Sequence, residues 1–277
     1  MQSLLAILHG RATYLLDRIA EGAYHRIINN EVERNFMKIG NRDDILLILK
    51  QDEIKNMNMI YFMEEYPVHS LERIDGSVLL RGESDRHWVY ISSSEEQELG
   101  RVISRLTEED RCFAAIEDWI VPAIVRDRTL AWRLSAVKLI LPKEVTFPSE
   151  PRTRISPLSL EDVPHIYESS FYKALTSPDY IRERIQRGPS AGVYESGELV
   201  AWVMTHDDAS IGVMNVLEPY RRKRYAYDLT VYLIRQIRAR GKIPYVHVEE
   251  TNLTSLDLAH KVGFREDRRL HWFEVKA

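Results

Sequence analysis

At 277 residues, with 44% apolar and 29% charged side chains, the chain has an ordinary soluble globular make-up and is long enough to bury a large core, with two modest lobes as the expected division. It has no low-complexity tract and no apolar run of about 20 residues, so no integral membrane segment is expected. A formal net charge of −4 lacks the basic excess of a general nucleic-acid binder, and the single cysteine, Cys112, excludes an internal disulfide framework and a multi-cysteine zinc site.

The apolar start "MQSLLAILHGRATYLLDRIAEG" has no basic stretch before it and no small-residue cleavage pattern after it, which argues against secretion. It reads as the first helix of a domain, over about 2 to 19, in a cytoplasmic protein. The lack of acidic residues before Asp17 makes a mitochondrial targeting helix the alternative. Helical patterns follow at about 43 to 55 and 95 to 120, the second placing Cys112 on a helix as a packing thiol. Between them "SVLLR" and "HWVYIS" are strand-like runs flanking the turn segment "GESD".

Four of the eleven prolines fall between Pro142 and Pro157, a density that suits an extended connection. The expected division is therefore a mixed α/β lobe over 1–150 and a second lobe over 151–277. In the second, "RTRISPL" is a strand candidate. Ser159 caps a helix with Asp162 and Pro164 in its first turn, and Ser177, Pro178 and Gly188 punctuate the next. "AGVYESGELVAWVMTH" is a hairpin turning at Ser196-Gly197, followed by the strand "SIGVMNVL" and a helix from about 221 to 240 that Gly241 stops. The strand "IPYVHVEE", the helix "LTSLDLAHKV" ending at Gly263 and the strand "FREDRRLHWFEV" complete the order β-α-α-β-β-β-α-β-α-β, an α/β arrangement on a mixed sheet.

In "VLEPYRRKRYAYDL" a strand runs straight into a helix, leaving the backbone N–H groups of about 222 to 227 unpaired at the positive end of the helix dipole. Arg222, Lys223 and Arg224 add cations, so the junction suits a pyrophosphate, although a solvated helix start has the same composition. The loop resembles that of the GNAT acyltransferase superfamily, whose pattern is Arg or Gln, two residues, Gly, one residue, then Gly or Ala. Arg221 and Ala226 match its ends, and Arg224 stands where the family has its first glycine. "HVEETNLTSLDLAHKVGF", with Asn252 eleven residues before Gly263, is similar to the family's ending, so the resemblance covers about 152 to 277. "LEPYRRKRYA" with "PYVHVEETN" looks most like the glycine N-acyltransferase branch.

The resemblance implies acetyl-CoA or another acyl-CoA as co-substrate, held at Val216, Leu217, Arg222, Lys223, Arg224, Tyr225, Ala226, Tyr227, Asn252 and Ser255, with no metal and no covalent enzyme intermediate. The implied reaction is acyl transfer to the amine of a small molecule or an amino acid such as glycine. A protein N-acetyltransferase and a non-catalytic acyl-CoA-binding module are the alternatives, and the oligomeric state is not legible. Strand alternation places Tyr245, His247 and Glu249 on one face, which makes His247 and Glu249 candidate bases, against a structural histidine and a solvated carboxylate. The family's tyrosine acid would fall at Ala259, leaving Ser255 and Tyr225 as substitutes. Asp207 and Asp208 lie where some relatives hold a base, but "HDDAS" also reads as a simple turn.

Overall fold

A computed structural model describes residues 41–147 and 151–276. The expected first helix, with its targeting alternative, lies outside the described residues. The chain enters helix α1 (Arg42–Leu49) behind the Asn41 side chain, which accepts the Asp43 N–H, and after a short 3-10 turn starts helix α2 (Glu53–Glu65) at Asp52, whose carboxylate accepts the Lys55 N–H. Helix α2 is buried continuously from Asn56 to Met63. A helix enclosed on every side has no amphipathic stripe, which is why periodicity ended the pattern ten residues early.

Strands β1 (Val68–Ile74), β2 (Ser77–Glu83) and β3 (His87–Ser92) form an antiparallel meander. Helix α3 (Glu96–Ile103) then stops, and strand β4 (Cys112–Glu117), helix α4 (Val121–Val125) and strand β5 (Leu130–Ile140) follow. The single helix expected over 95 to 120 is therefore corrected, and Cys112 lies on a strand. The break is a turn in which Asp110 accepts the Thr107 N–H at 2.8 Å and meets Arg81 at 2.7 Å. Strand β4 sends Phe113 and Ile116 to one core cluster and Ala114 to another, and a strand buried on both faces has an apolar run that periodicity reads as helix. The Cys112 thiol is half-buried and burial raises its pKa, in keeping with packing.

The expected strand at "RTRISPL" reduces to one bridge between Ser156 and Gly192. Pro157 cannot donate to a ladder, and Thr153 gives its N–H to Asp228 at 3.1 Å instead. Helices α5 (Val163–Glu168) and α6 (Pro178–Arg187) follow, with Ser159 and Asp162 in a capping box before the first and Ser177 capping the second. Strands β6 (Ser190–Glu195) and β7 (Glu198–Thr205) turn at Ser196 and Gly197, both at positive φ. Strand β8 (Ile211–Val216), helix α7 (Tyr225–Ala239), strand β9 (Tyr245–Val248), helix α8 (Leu253–Val262) and strand β10 (Arg265–Val275) complete the expected order.

The ten strands form one mixed sheet in the order β1-β2-β3-β4-β10-β5-β9-β8-β7-β6. Strand β10 lies between β4 and β5, and β5 lies between β10 and β9, so strands from either side of residue 150 interleave. Helix α7 buries Leu229, Leu233, Ile234 and Ile237 in the core formed with β6, β7 and β8, each worth about 1.5–3 kcal/mol of transfer free energy. Parallel strands β8 and β9 are in register at Ile211 and Val246 alone. Their divergence opens the sheet.

Candidate active site

The opening between β8 and β9 continues into a cavity of ≈ 340 Å³ whose walls come from β3, β5, β8, β9, β10 and the start of α8. Strand β8 bends at a bulge opposite the Trp202–Met204 segment of β7, and Val213 there takes φ 47°. One residue earlier the strand must be glycine for a different reason. A Cβ on Gly212 would lie 2.0 Å from His206 Nε2, so the missing side chain lets the imidazole pack on the strand.

His206 begins the turn that supplies the acidic corner of the cavity. Its N–H donates to Ser210 O at 2.8 Å, the Ala209 N–H donates back to His206 O at 2.9 Å, and Ala209 sits at φ 66°. The His206 Nδ1 meets the Tyr180 hydroxyl at 3.0 Å, and that hydroxyl also accepts the Asp207 N–H at 3.4 Å. Asp208 is buried, with Ser210 N–H and Oγ donating to Oδ1 at 3.0 and 2.6 Å and Asn58 Nδ2 donating to Oδ2 at 2.7 Å. Burial opposes its charge, but the Ser210 bonds and, in the acid range where they are protonated, the imidazoles of His247 and His206 hold the carboxyl below its usual range. Among the described residues Asp207 has one side-chain donor, Ser84 Oγ at 2.5 Å. Burial, then the carboxylates of Asp208 and Asp85, push Asp207 up to about 7.

The two bases expected from the sequence line the same cavity but differ in chemistry. His247 faces Asn58, whose Nδ2 lies 3.1 Å from Nε2, and its ring is edge-on to Trp272 and Tyr245 at 4.6 and 5.3 Å. Burial lowers its pKa to about 3, so the imidazole is neutral and its Nε2 accepts the amide hydrogen. Glu249 lies just past the end of β9, and its carboxylate accepts the hydroxyl of Tyr172, a residue on the α5–α6 connection. Behind His247, its register partner Lys138 is fully buried, with its ammonium on the Ile54 and Lys55 carbonyls and burial lowering its pKa to about 8.

The opposite wall is aromatic: Trp88 and Tyr90 on β3, Trp132 on β5 and Trp272 on β10. Asp85, Asp207, Asp208 and Glu249 all line the cavity, and among the described residues no lysine or arginine does. Its charge is that of a cation-receiving site.

At the other end, β8 leads through a 3-10 turn (Glu218–Tyr220) into the basic loop. Arg222 and Arg224 take φ 63° and 72°, left-handed conformations that favour glycine. Arg224 thus has the backbone a glycine would provide there. Its Nε donates to Asp228 at 3.1 Å and its guanidinium lies 4.2 Å from the Tyr227 ring centre, while Lys223 lies over the Tyr220 ring at 4.8 Å. Among the described residues, the N–H groups of 222 to 227 have no acceptor. The Leu217 N–H is given to Val200 O at 3.0 Å, and the Val216 carbonyl accepts Arg221 Nε at 3.3 Å.

Asn252 caps α8 by accepting the Ser255 N–H at 3.2 Å, and both residues line the cavity with Ala259. The Tyr225 hydroxyl is given to the Glu195 carboxylate. Of the two substitute acids, Ser255 alone lines the cavity. Asn58, Ser84, Asp85 and Tyr172 went unrecognised in the sequence, because each reaches the site from an element with no chemical motif of its own.

A family described as FR47-like protein matches residues 190–273, the segment from β6 to β10. Among solved structures, the chain is similar to a Drosophila protein at TM-score 0.70, with 16% identity over 84% of this chain and 96% of that one. It is similar to a structure described as a GNAT-family acetyltransferase from Novosphingobium aromaticivorans at TM-score 0.50, with 19% identity over 71% and 87% of the two chains. A GCN5-related N-acetyltransferase from Kribbella flavida gives TM-score 0.51 at 11% identity over 81% and 95%. No curated protein matches the chain. The fold is that of the GNAT acetyltransferases.

Proposed function

We propose that the protein is an acetyl-CoA-dependent N-acyltransferase whose acceptor is a cationic amine without a carboxylate. One observation carries this reading: the cavity in the split between β8 and β9 is lined by Asn215 near the end of β8, the strand that leads on to the basic loop, and by Asp207, whose carboxyl is pushed up to about 7 by burial and the neighbouring carboxylates. The loop residues fit a pyrophosphate. Arg224 has a glycine-like backbone, and its guanidinium is held on Asp228 and over the Tyr227 ring. Bound acetyl-CoA supplies the activated thioester.

The protein's own residues provide the remaining steps. The ionised Asp208 and the aromatic wall draw in an ammonium group, and Asp207, half ionised near pH 7, takes its proton as the amine attacks. Asn58 and the neutral His247 hold Asp208 in place, and the Ser255 hydroxyl is the donor on the thiolate side. Asp207 is preferred over His247 because the imidazole acceptor nitrogen is occupied and its pKa lies far below neutrality. Glu249 is the second candidate base.

The likeness to the glycine N-acyltransferase branch would make an amino acid the acceptor. Four lining carboxylates with no lining cation oppose the carboxylate of glycine and favour an amine with an apolar or polycationic body. The segment before residue 150 then forms the acceptor wall. The test combines thermal shift by acetyl-CoA with thiol release using phenethylamine, spermidine, a peptide N-terminus and glycine. At 100 times its dissociation constant a ligand stabilises by about 2.7 kcal/mol, and Arg222→Glu with Lys223→Glu should abolish that shift. Phenethylamine or spermidine should outpace glycine. A surviving shift in the double variant would reject the loop, glycine as the fastest acceptor would reject the amine class, and binding without thiol release would favour a non-catalytic module.

A further inference from the structure

On the outer edge of the sheet, away from the split between β8 and β9, three side chains from the adjacent strands β1, β2 and β3 converge. They are His69, Glu83 and His87, and their donor atoms all lie within 4.8 Å of one another. His69 Nε2 is 3.0 Å from Glu83 Oε2, and His87 Nδ1 is 3.8 Å from the same oxygen. The two imidazole rings are 5.8 Å apart at 47°. A hydrogen bond accounts for one histidine, but two nitrogens aimed at one carboxylate oxygen suit a shared cation.

The backbone explains the convergence. Glu83 and His87 are paired across β2 and β3, at the two ends of the Ser84–Arg86 turn. His69 falls at the irregularity between Val68 and Ser70 where the β1–β2 register shifts, and such an extra residue re-aims its side chain. The Glu83 N–H is fixed to Pro67 O at 3.1 Å, which holds β2 beside the start of β1.

We propose that His69, Glu83 and His87 form a site for a borderline divalent cation of the zinc class, with its remaining position open to water. Two imidazoles and one carboxylate without a thiol are the ligands such ions take, and bonds of about 2.0–2.1 Å require donor atoms roughly 3.4 Å apart in a tetrahedral set. The observed separations bracket that value, and His87, with 77% of its side chain exposed, is free to close the difference by rotation. Magnesium and calcium, which take oxygen ligands, do not fit this donor set.

The site also encloses the turn that carries Ser84 to Asp207 and places Asp85 in the cavity wall, so a bound ion would brace that turn from outside.

The test uses tag-free full-length protein stripped with chelator, titrated calorimetrically with zinc chloride and, separately, followed by visible absorption with cobalt(II) chloride. Wild type should bind zinc at the site with a cobalt spectrum of a nitrogen- and oxygen-ligated ion. His69→Ala, His87→Ala and Glu83→Gln should each weaken zinc by about 10-fold or more and remove the cobalt band. Melting curves of the metal-free variants separate this from misfolding, since the three side chains are exposed and their loss should leave the metal-free melt unchanged. Zinc affinity unchanged in all three variants, or binding that saturates nowhere below millimolar zinc, would overturn the proposal.

Discussion

Replacing Asp207 by asparagine should lower turnover while raising stability, and the two effects come from the same physical cause. Its folded pKa of about 7, against an ordinary 3.8, is set first by burial and then by Asp208 and Asp85. An acid raised in this way binds more protons folded than unfolded between about pH 4 and pH 7. Stability therefore falls as pH rises through that window and levels off above it. At about 1.36 kcal/mol per pKa unit the full difference is roughly 4 kcal/mol. The part of the carboxyl open to the cavity and a weakened Ser84 bond reduce the expected gain to about 1–3 kcal/mol at pH 8, and to nothing below pH 4. Denaturant melts of wild type and Asp207→Asn at pH 4, 6 and 8 read this directly. Thiol release should fall by about 10²- to 10⁴-fold, and the wild-type rate should climb with pH through about 7 as the base ionises. Activity within a few fold of wild type, with the same pH profile, would refute Asp207 as base and move attention to Glu249. A variant less stable than wild type at pH 8 would refute the raised carboxyl.

Arg224→Gly should relieve a left-handed strain of about 1 kcal/mol while losing an ion pair to Asp228, which keeps its bonds from Thr153. Its melting point should stay close to wild type and its CoA affinity should hold or tighten; a clear loss of affinity by titration would make the guanidinium a phosphate ligand. Gly212→Ala should force the His206 ring off β8 and away from Tyr180, destabilising by about 1–3 kcal/mol in a denaturant melt. An unchanged melt would show that the close approach is not tight.

The second half of the fold was legible because its punctuation is local. Ser177 with Pro178, Ser196-Gly197 and Asn252 through Gly263 each determine a boundary within a few residues, and the boundaries they mark stand. The first half was not, because α2 and β4 are enclosed and an enclosed element carries no period of its own. The site followed the same division. The basic loop could be read as a strand-to-helix junction with free N–H groups, but the left-handed backbone of Arg222 and Arg224 could not, since arginine gives no signal for it. His247 and Glu249, which alternation puts on one face, both line the cavity. Their hydrogen-bond partners, Asn58 and Tyr172, arrive from 189 and 77 positions away in sequence.

The contrast between two consecutive aspartates shows how the fold makes chemistry from an unremarkable turn. Left-handed Ala209 and the paired His206–Ser210 backbone groups bring the Ser210 donors back onto Asp208. With Asn58 added, Asp208 has three hydrogen-bond donors and remains charged. Asp207, one residue earlier, points to the β2–β3 turn, where it finds a single hydroxyl and a second carboxylate, Asp85. Two acids of the same type, one with a single hydroxyl donor and the other with three donors, are driven apart in pKa, and that separation suits the proposed roles of an anion that attracts the amine and a neighbour that exchanges its proton. The proposed assignment requires β2 and β3 to stand beside the 206–210 turn, where Ser84 bonds Asp207 and Asp85 lines the cavity.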